Sequence, residues 1–186
     1  TDHITVHQAE MARSLSDSEK DVALQVISSM LTADSLDDSM YNTLSQIGGY
    51  YHADRVYLLR LTENQLTITM PYEWVGRKKH SIQQAVSGMP LSSFPFLNRC
   101  IQERSPVFLS RTQPAFQQGP EAEEPWYFTA FPLIDGADIW GVLCIENARK
   151  HPADAALFSA IIPHLLREPQ RFRSGHSPNR EGTIEL

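Results

Sequence analysis

Cysteine is nearly absent: 186 residues include only Cys100 and Cys144. Two cysteines do not make a disulfide framework, and their scarcity fits a reducing cytoplasm. Long apolar runs are also missing. Nothing approaches the roughly 20 apolar residues of a membrane span, so no membrane contact is expected, and no secretory leader is visible. Basic residues are in the minority, 16 against 22 acidic, and the net charge of −6 argues against a broad nucleic-acid surface. One local basic run, Arg77-Lys78-Lys79-His80, departs from that background and reads as a solvated loop after a strand. Familiar catalytic signatures are absent as well. The chain has no Gly-x-Ser-x-Gly turn, no phosphate-binding glycine loop, no paired zinc-type cysteines and no helical HExxH. Seven histidines are scattered, and His151 with His164 lacks tight ligand spacing, so no metal site is expected.

What is present is enough apolar residue, 41%, for one domain with a sizeable core. Ser16-Asp17-Ser18-Glu19 has capping-box spacing. After it Val22, Val26, Ile27, Met30 and Leu31 form a helical stripe. A second helix is expected from Ser35, with Leu36, Met40, Leu44, Ile47 and Tyr51 on one face. Gly48-Gly49 either permits close packing there or frays the last turn. Residues 55–61 and 65–74 read as paired strands around Thr62-Glu63-Asn64. The stretch 75–91 reads as a long loop, Phe94 to Glu103 as a short helix and Val107 to Leu109 as an edge-like strand. Residues 113–125, with three prolines and a glycine, form a second irregular segment.

The most informative stretch is Tyr127 to Lys150. Phe128 to Ile134 and Ile139 to Ile145 are too continuously apolar for a sheet with one wet face, and Asp135-Gly136 supplies a tight hairpin turn. A last helix from about Pro152 to Arg167 carries Leu157, Phe158, Ile161, Ile162, Leu165 and Leu166, with Pro163 inside it.

These segments together resemble the GAF domain, a sensory module of signalling proteins, of the kind attached to bacterial diguanylate cyclases and sensor kinases. Ala53 to Leu59 resembles the family's first strand and Tyr72-Glu73-Trp74 the end of its second. With Phe94-Pro95-Phe96 between them and the hairpin, the resemblance covers roughly residues 20 to 168. The hairpin exit, Glu146-Asn147-Ala148-Arg149, is similar to the family's Asp-Asn-Pro-Arg-type sequence. The resemblance implies an α+β fold: a mostly antiparallel sheet of five or six strands, terminal helices on one face, and short helices or loops on the other. Residues 1–18 would then be an N-terminal extension, 19–168 the sensory domain and 169–186 a polar tail or linker. The start at Thr1 rather than Met leads to the expectation of a fragment from a longer protein, with the output domain outside it.

The resemblance also implies a ligand cavity between the sheet and the irregular segments crossing it. Tyr72, Trp74, Phe94, Phe96, Trp126 and Phe128 are the expected lining, with Glu73 and Arg99 as polar groups. The alternative is that these aromatics fill the core and leave no cavity. No cofactor is specified. Three known GAF activities find no match in their residues. Two isolated cysteines do not reproduce the set that reduces free methionine sulfoxide. Cys100 is followed by Ile101, whereas bilin-attaching cysteines are commonly followed by histidine. Asn147-Ala148-Arg149-Lys150 is not the cyclic-nucleotide signature.

The expected function is regulatory: a small molecule biases the domain, and the terminal helices pass that bias to an output domain, a diguanylate cyclase or a kinase. One alternative is a ligand-free dimerisation module, and a remote one is an enzyme using Cys100. The second and last helices suffice to cover a sheet face, so the first helix has spare apolar surface and is expected to build a homodimer. Otherwise it folds back on its own subunit as a third element.

Overall fold

The computed structural model describes residues 3–7, 14–112, 126–152 and 154–174; the irregular segment 113–125 and the tail from 175 lie outside these. Two capped helices open the domain. In α1 (Asp17–Thr32) Ser16 Oγ accepts from the Glu19 amide at 3.3 Å, and Glu19 Oε1 accepts from the Ser16 amide at 3.1 Å. In α2 (Leu36–Tyr51) Ser35 Oγ accepts from the Asp38 amide at 3.1 Å. Each such N-cap contributes about 1 kcal/mol.

The strands are β1 (His3–His7), β2 (Arg55–Leu61), β3 (Ile68–Val75), β4 (Val107–Thr112), β5 (Trp126–Asp135) and β6 (Asp138–Glu146). They form one antiparallel sheet in the order β1-β4-β5-β6-β2-β3. The polar N-terminal stretch therefore supplies an edge strand. β1 pairs with β4 from His3↔Thr112 to His7↔Phe108, which moves β4 from the expected edge into the sheet. β3 begins at Ile68 rather than 65 because Thr62 and Asn64 close the preceding turn, Thr62 N–H donating to the Thr67 carbonyl at 3.0 Å. In the β5–β6 hairpin Asp135 pairs with Asp138, leaving Gly136-Ala137 as a two-residue turn with Gly136 at φ 63°. Glycine at the first central position is what a type II′ hairpin requires.

Two layers cover the sheet. On one face lie α1, α2 and α5 (Ala156–Ser174), packed on Val56, Leu58, Phe131, Leu133, Leu143 and Ile145. α1 is the third element of this layer, against α2 and α5, with Val26 and Met30 fully buried. Most of the stripe expected to be spare surface is thus turned into its own subunit, and only Leu31 of that set is exposed. α5 continues through Pro163 and past Pro169 to Ser174, beyond the point where the sequence reads as a linker. On the other face, the stretch 75–91 contains a single turn, α3 (Gln83–Val86), and a 3-10 turn follows at Leu91–Ser93. These lead to α4 (Pro95–Glu103), whose Leu97 and Cys100 are buried against Tyr57, Leu59, Ala130 and Cys144. Among the described residues, no helix is long and apolar enough to cross a membrane.

Candidate functional site

The eight residues singled out from sequence divide between the two faces. Phe94, Phe96, Trp126 and Phe128 gather on the face covered by α3 and α4. Phe96 meets Phe128 edge-on at 4.6 Å between ring centroids, and Trp126 stacks on Phe128 at 5.7 Å. Tyr72 and Trp74 pack on the helical face instead. Tyr72 donates to Asp37 Oδ1 at 2.9 Å, and Trp74 lies against Gly48 of α2. Arg99 stands on the exposed side of α4, paired with Glu103 at 3.2 Å.

A β-bulge causes this division. Leu58 pairs with Tyr72 and Arg60 with Thr69, so Met70 and Pro71 together oppose Leu59. One extra residue reverses which way every later side chain points. Ile68 and Met70 therefore face α3 and α4, whereas Tyr72 and Trp74 face α2, leaving Glu73 on the α3 and α4 side. Pro71 was the legible signal, since proline inside a strand marks a bulge or an edge.

Glu73 belongs to a polar group that sequence reading largely missed. Across the sheet, Glu73, Tyr57, Cys144 and Ala130 form one row, and Val75, Arg55, Glu146 and Phe128 the next. Glu73 Oε2 accepts from the Ile82 amide at 2.8 Å, and Arg55 donates through Nε to the His80 carbonyl at 2.7 Å. Arg55 also forms an ion pair with Glu146. Burial raises the Glu146 carboxyl above its ordinary value, and Arg55 opposes that rise. The Tyr57 hydroxyl has no hydrogen-bond partner among the described residues, although the residue is only 7% exposed. Burial raises its phenol well above the ordinary value, and Cys144 and Glu146 add to this. An unpaired buried hydroxyl costs about 1–3 kcal/mol, so its presence calls for an explanation.

The two cysteines are core residues. Cys100 is fully buried, with Sγ 3.7 Å from the Ala130 carbonyl oxygen. Burial pushes its thiol up to about 12, with Glu103 adding to the effect, so little thiolate nucleophile exists near neutral pH. Among the described residues, no cluster of His, Cys, Asp or Glu has the arrangement to hold a metal ion.

The sheet order, the helical layer and the covered opposite face agree with the family comparison. A model of the GAF domain family matches residues 35–165, and the chain belongs to that family. No curated protein matches it. Among solved structures, the GAF domain of a phosphoenolpyruvate-protein phosphotransferase from Coxiella burnetii is 17% identical. That comparison covers 86% of this chain and 98% of the other, with a TM-score of 0.64. The GAF domain of the Acinetobacter phosphoenolpyruvate-protein phosphotransferase is 15% identical, covering 89% and 99%, with a TM-score of 0.61. Free methionine-R-sulfoxide reductase from Neisseria meningitidis, in complex with its substrate, is 12% identical, covering 91% and 100%, with a TM-score of 0.62. At these identities the likeness is one of fold. GAF domains are sensory and regulatory modules, and this chain has that architecture.

Proposed function

We propose that this chain is the sensory domain of a bacterial signalling protein, binding a small molecule on the sheet face beneath α3 and α4. The observation that carries this reading is the Tyr57 hydroxyl, buried with no hydrogen-bond partner among the described residues in the row beside Arg55 and Glu146. Phe128 stands directly across from Glu146, with Trp126 and Phe96 packed on it. An apolar wall with a few convergent polar groups is the usual composition of a ligand site. A ligand atom that accepts from Tyr57 would satisfy the orphan donor. The structure of the Neisseria meningitidis reductase with its substrate supports the idea that this fold holds small molecules.

The bound state then biases an attached output domain, a diguanylate cyclase or a kinase, through the terminal helices in the cytoplasm. A ligand can do this only by binding two conformations of the domain unequally. Native mass spectrometry of freshly purified protein tests the reading. A bound small molecule is expected on the wild type and depleted on Tyr57→Phe. Equal occupancy in both would remove Tyr57 from the site, and a ligand-free wild type that binds nothing from a metabolite library would sink the reading.

A second reading, a dimerisation module, is supported by one specific feature. Leu24 and Leu31 stand seven residues apart on the outer side of α1 and are 65% and 64% exposed. That spacing places them on one helix face. Leu24→Asp with Leu31→Asp should shift a dimer to monomer in sedimentation without loss of folding. A wild type that sediments as a monomer at micromolar concentration ends this reading.

A further inference from the structure

The basic run set aside as a solvated loop does not lie on a flat surface. Gly76 to Lys79 makes a tight turn, with Lys79 N–H donating to the Gly76 carbonyl at 3.3 Å and Lys78 at φ 63°. The turn is anchored at the end of the sheet, where the Gly76 amide donates to the Asp54 carbonyl at 2.8 Å. It forms one wall of a cleft of about 700 Å³. Arg149, from the hairpin exit, contributes a further cation, and Trp74 and the Gly48-Gly49 end of α2 complete much of the lining. The cleft is separate from the site around Tyr57: none of Tyr57, Arg55, Glu73 or Glu146 lines it.

Its electrostatics run against those of the chain. Arg77, Lys78, Lys79 and Arg149 line the cleft with a single carboxylate, Asp54, in a protein of net charge −6. Asp54 is only 7% exposed and works as a brace. It takes Arg149 Nη1 at 2.6 Å, Lys79 Nζ at 3.7 Å and Asn147 Nδ2 at 3.1 Å. Arg149 Nη1 also reaches the His52 carbonyl at 3.3 Å. Two of the four cations are therefore held in position, while Arg77 and Lys78 have no ion-pair partner among the described residues. Excess positive charge in a concave, partly walled space favours an anion far more than the same charges spread over a convex surface. The volume is that of a small-molecule pocket. Trp74 adds an aromatic surface beside the cations, which a bare phosphate does not need and a planar base uses.

We propose that this cleft binds a nucleoside phosphate, with Arg77 and Lys78 taking the phosphate and Trp74 stacking on the base. Arg149 and Lys79, held by Asp54, supply the remaining field. The proposal does not depend on a ligand at Tyr57, and its test leaves that site untouched.

Calorimetric titration with GMP, AMP and inorganic pyrophosphate at low salt provides the test. The wild type should bind the mononucleotides, and affinity should fall as salt is raised. Arg77→Glu with Lys78→Glu removes two exposed side chains that hold nothing else, so the melting temperature should stay unchanged. The double variant should lose mononucleotide affinity by about tenfold or more, because each charge-assisted contact to phosphate is worth at least that factor. Trp74→Leu should weaken GMP and AMP several-fold and leave pyrophosphate binding unchanged, which also shows that the variant is folded around the cations. Wild type that binds none of the three at about 1 mM, a bound state weaker than roughly 4 kcal/mol, overturns the proposal. Unaltered mononucleotide affinity in the double variant overturns it as well. Pyrophosphate binding as tight as mononucleotide binding, together with no response to Trp74→Leu, overturns the assignment of the base to Trp74.

Discussion

Tyr57 shows how much one atom can say about a site. Its ring is ordinary core, facing Leu97, Cys100 and the neighbouring strands in a second apolar cluster. Only its hydroxyl is out of place, because nothing among the described residues bonds to it. If the hydroxyl exists for a ligand, it is a cost to the empty protein. Tyr57→Phe keeps the ring and removes the unpaired group, so the ligand-free variant should be at least as stable as the wild type and up to about 3 kcal/mol more stable. Chemical denaturation of ligand-stripped protein checks this. A loss of more than about 1 kcal/mol would show that the hydroxyl already has a structural partner and that the orphan-donor argument fails. Sequence alone did not reveal the point. Tyr57 sits in the run Arg55-Val56-Tyr57-Leu58-Leu59, where a tyrosine reads as one more strand residue. Burial without a partner is a fact of three dimensions.

At the scale of elements, most boundaries were legible because their signals are local. The Ser16 capping box, the hairpin glycine and the apolar stripe of α5 each act within a few residues, and each is found where the pattern places it. What failed depended on distant partners. β1 has only Ile4 and Val6 as apolar residues, and its strand character comes from pairing with β4 more than 100 residues later. The β3 bulge was local, but its effect on Tyr72 and Trp74 was not. It turns them toward α2, where Gly48 meets the indole. A Cβ built at Gly48 would lie 2.2 Å from the Trp74 ring, whereas one at Gly49 meets nothing within 4 Å. Adjacent glycines in one helix should therefore respond in opposite directions. Gly49→Ala should stabilise by about 0.5–1 kcal/mol through helix propensity alone. Gly48→Ala should destabilise by about 1–3 kcal/mol, because Trp74 must leave its seat. Thermal melts of the two variants measure this contrast, and equal shifts would mean that Trp74 does not pack on α2 in solution.

Across the whole molecule, the sheet separates the two proposed sites, and the helical layer packs α1 and α5 against each other. Among the buried polar groups of that layer is a joint that links α5 to both other helices. Glu168 of α5 is 3% exposed and accepts from Ser39 Oγ of α2 at 2.8 Å. Arg171 pairs with the same carboxylate at 2.9 Å and donates through Nη2 to the Met30 carbonyl at the end of α1, at 2.6 Å. Three helices thus meet around one carboxylate and its arginine. Removing that carboxylate leaves the buried Ser39 hydroxyl and one edge of Arg171 unpaired. Because Arg171 is partly exposed and water can reach it, the expected cost of Glu168→Ala is about 1–3 kcal/mol rather than the larger penalty of a fully buried ion pair. The loss should not be uniform. Hydrogen exchange should quicken most in the last turn of α1 and the C-terminal half of α5, with little change in β5 and β6, whose core residues lie away from the joint. Glu168→Gln keeps an acceptor for Ser39 and should recover part of the stability but not the anchoring of Arg171. Uniform acceleration through the sheet would make Glu168 an ordinary contributor to global stability, whereas selective loosening of α1 and α5 would mark it as the coupling point between the sensory fold and its flanking helices.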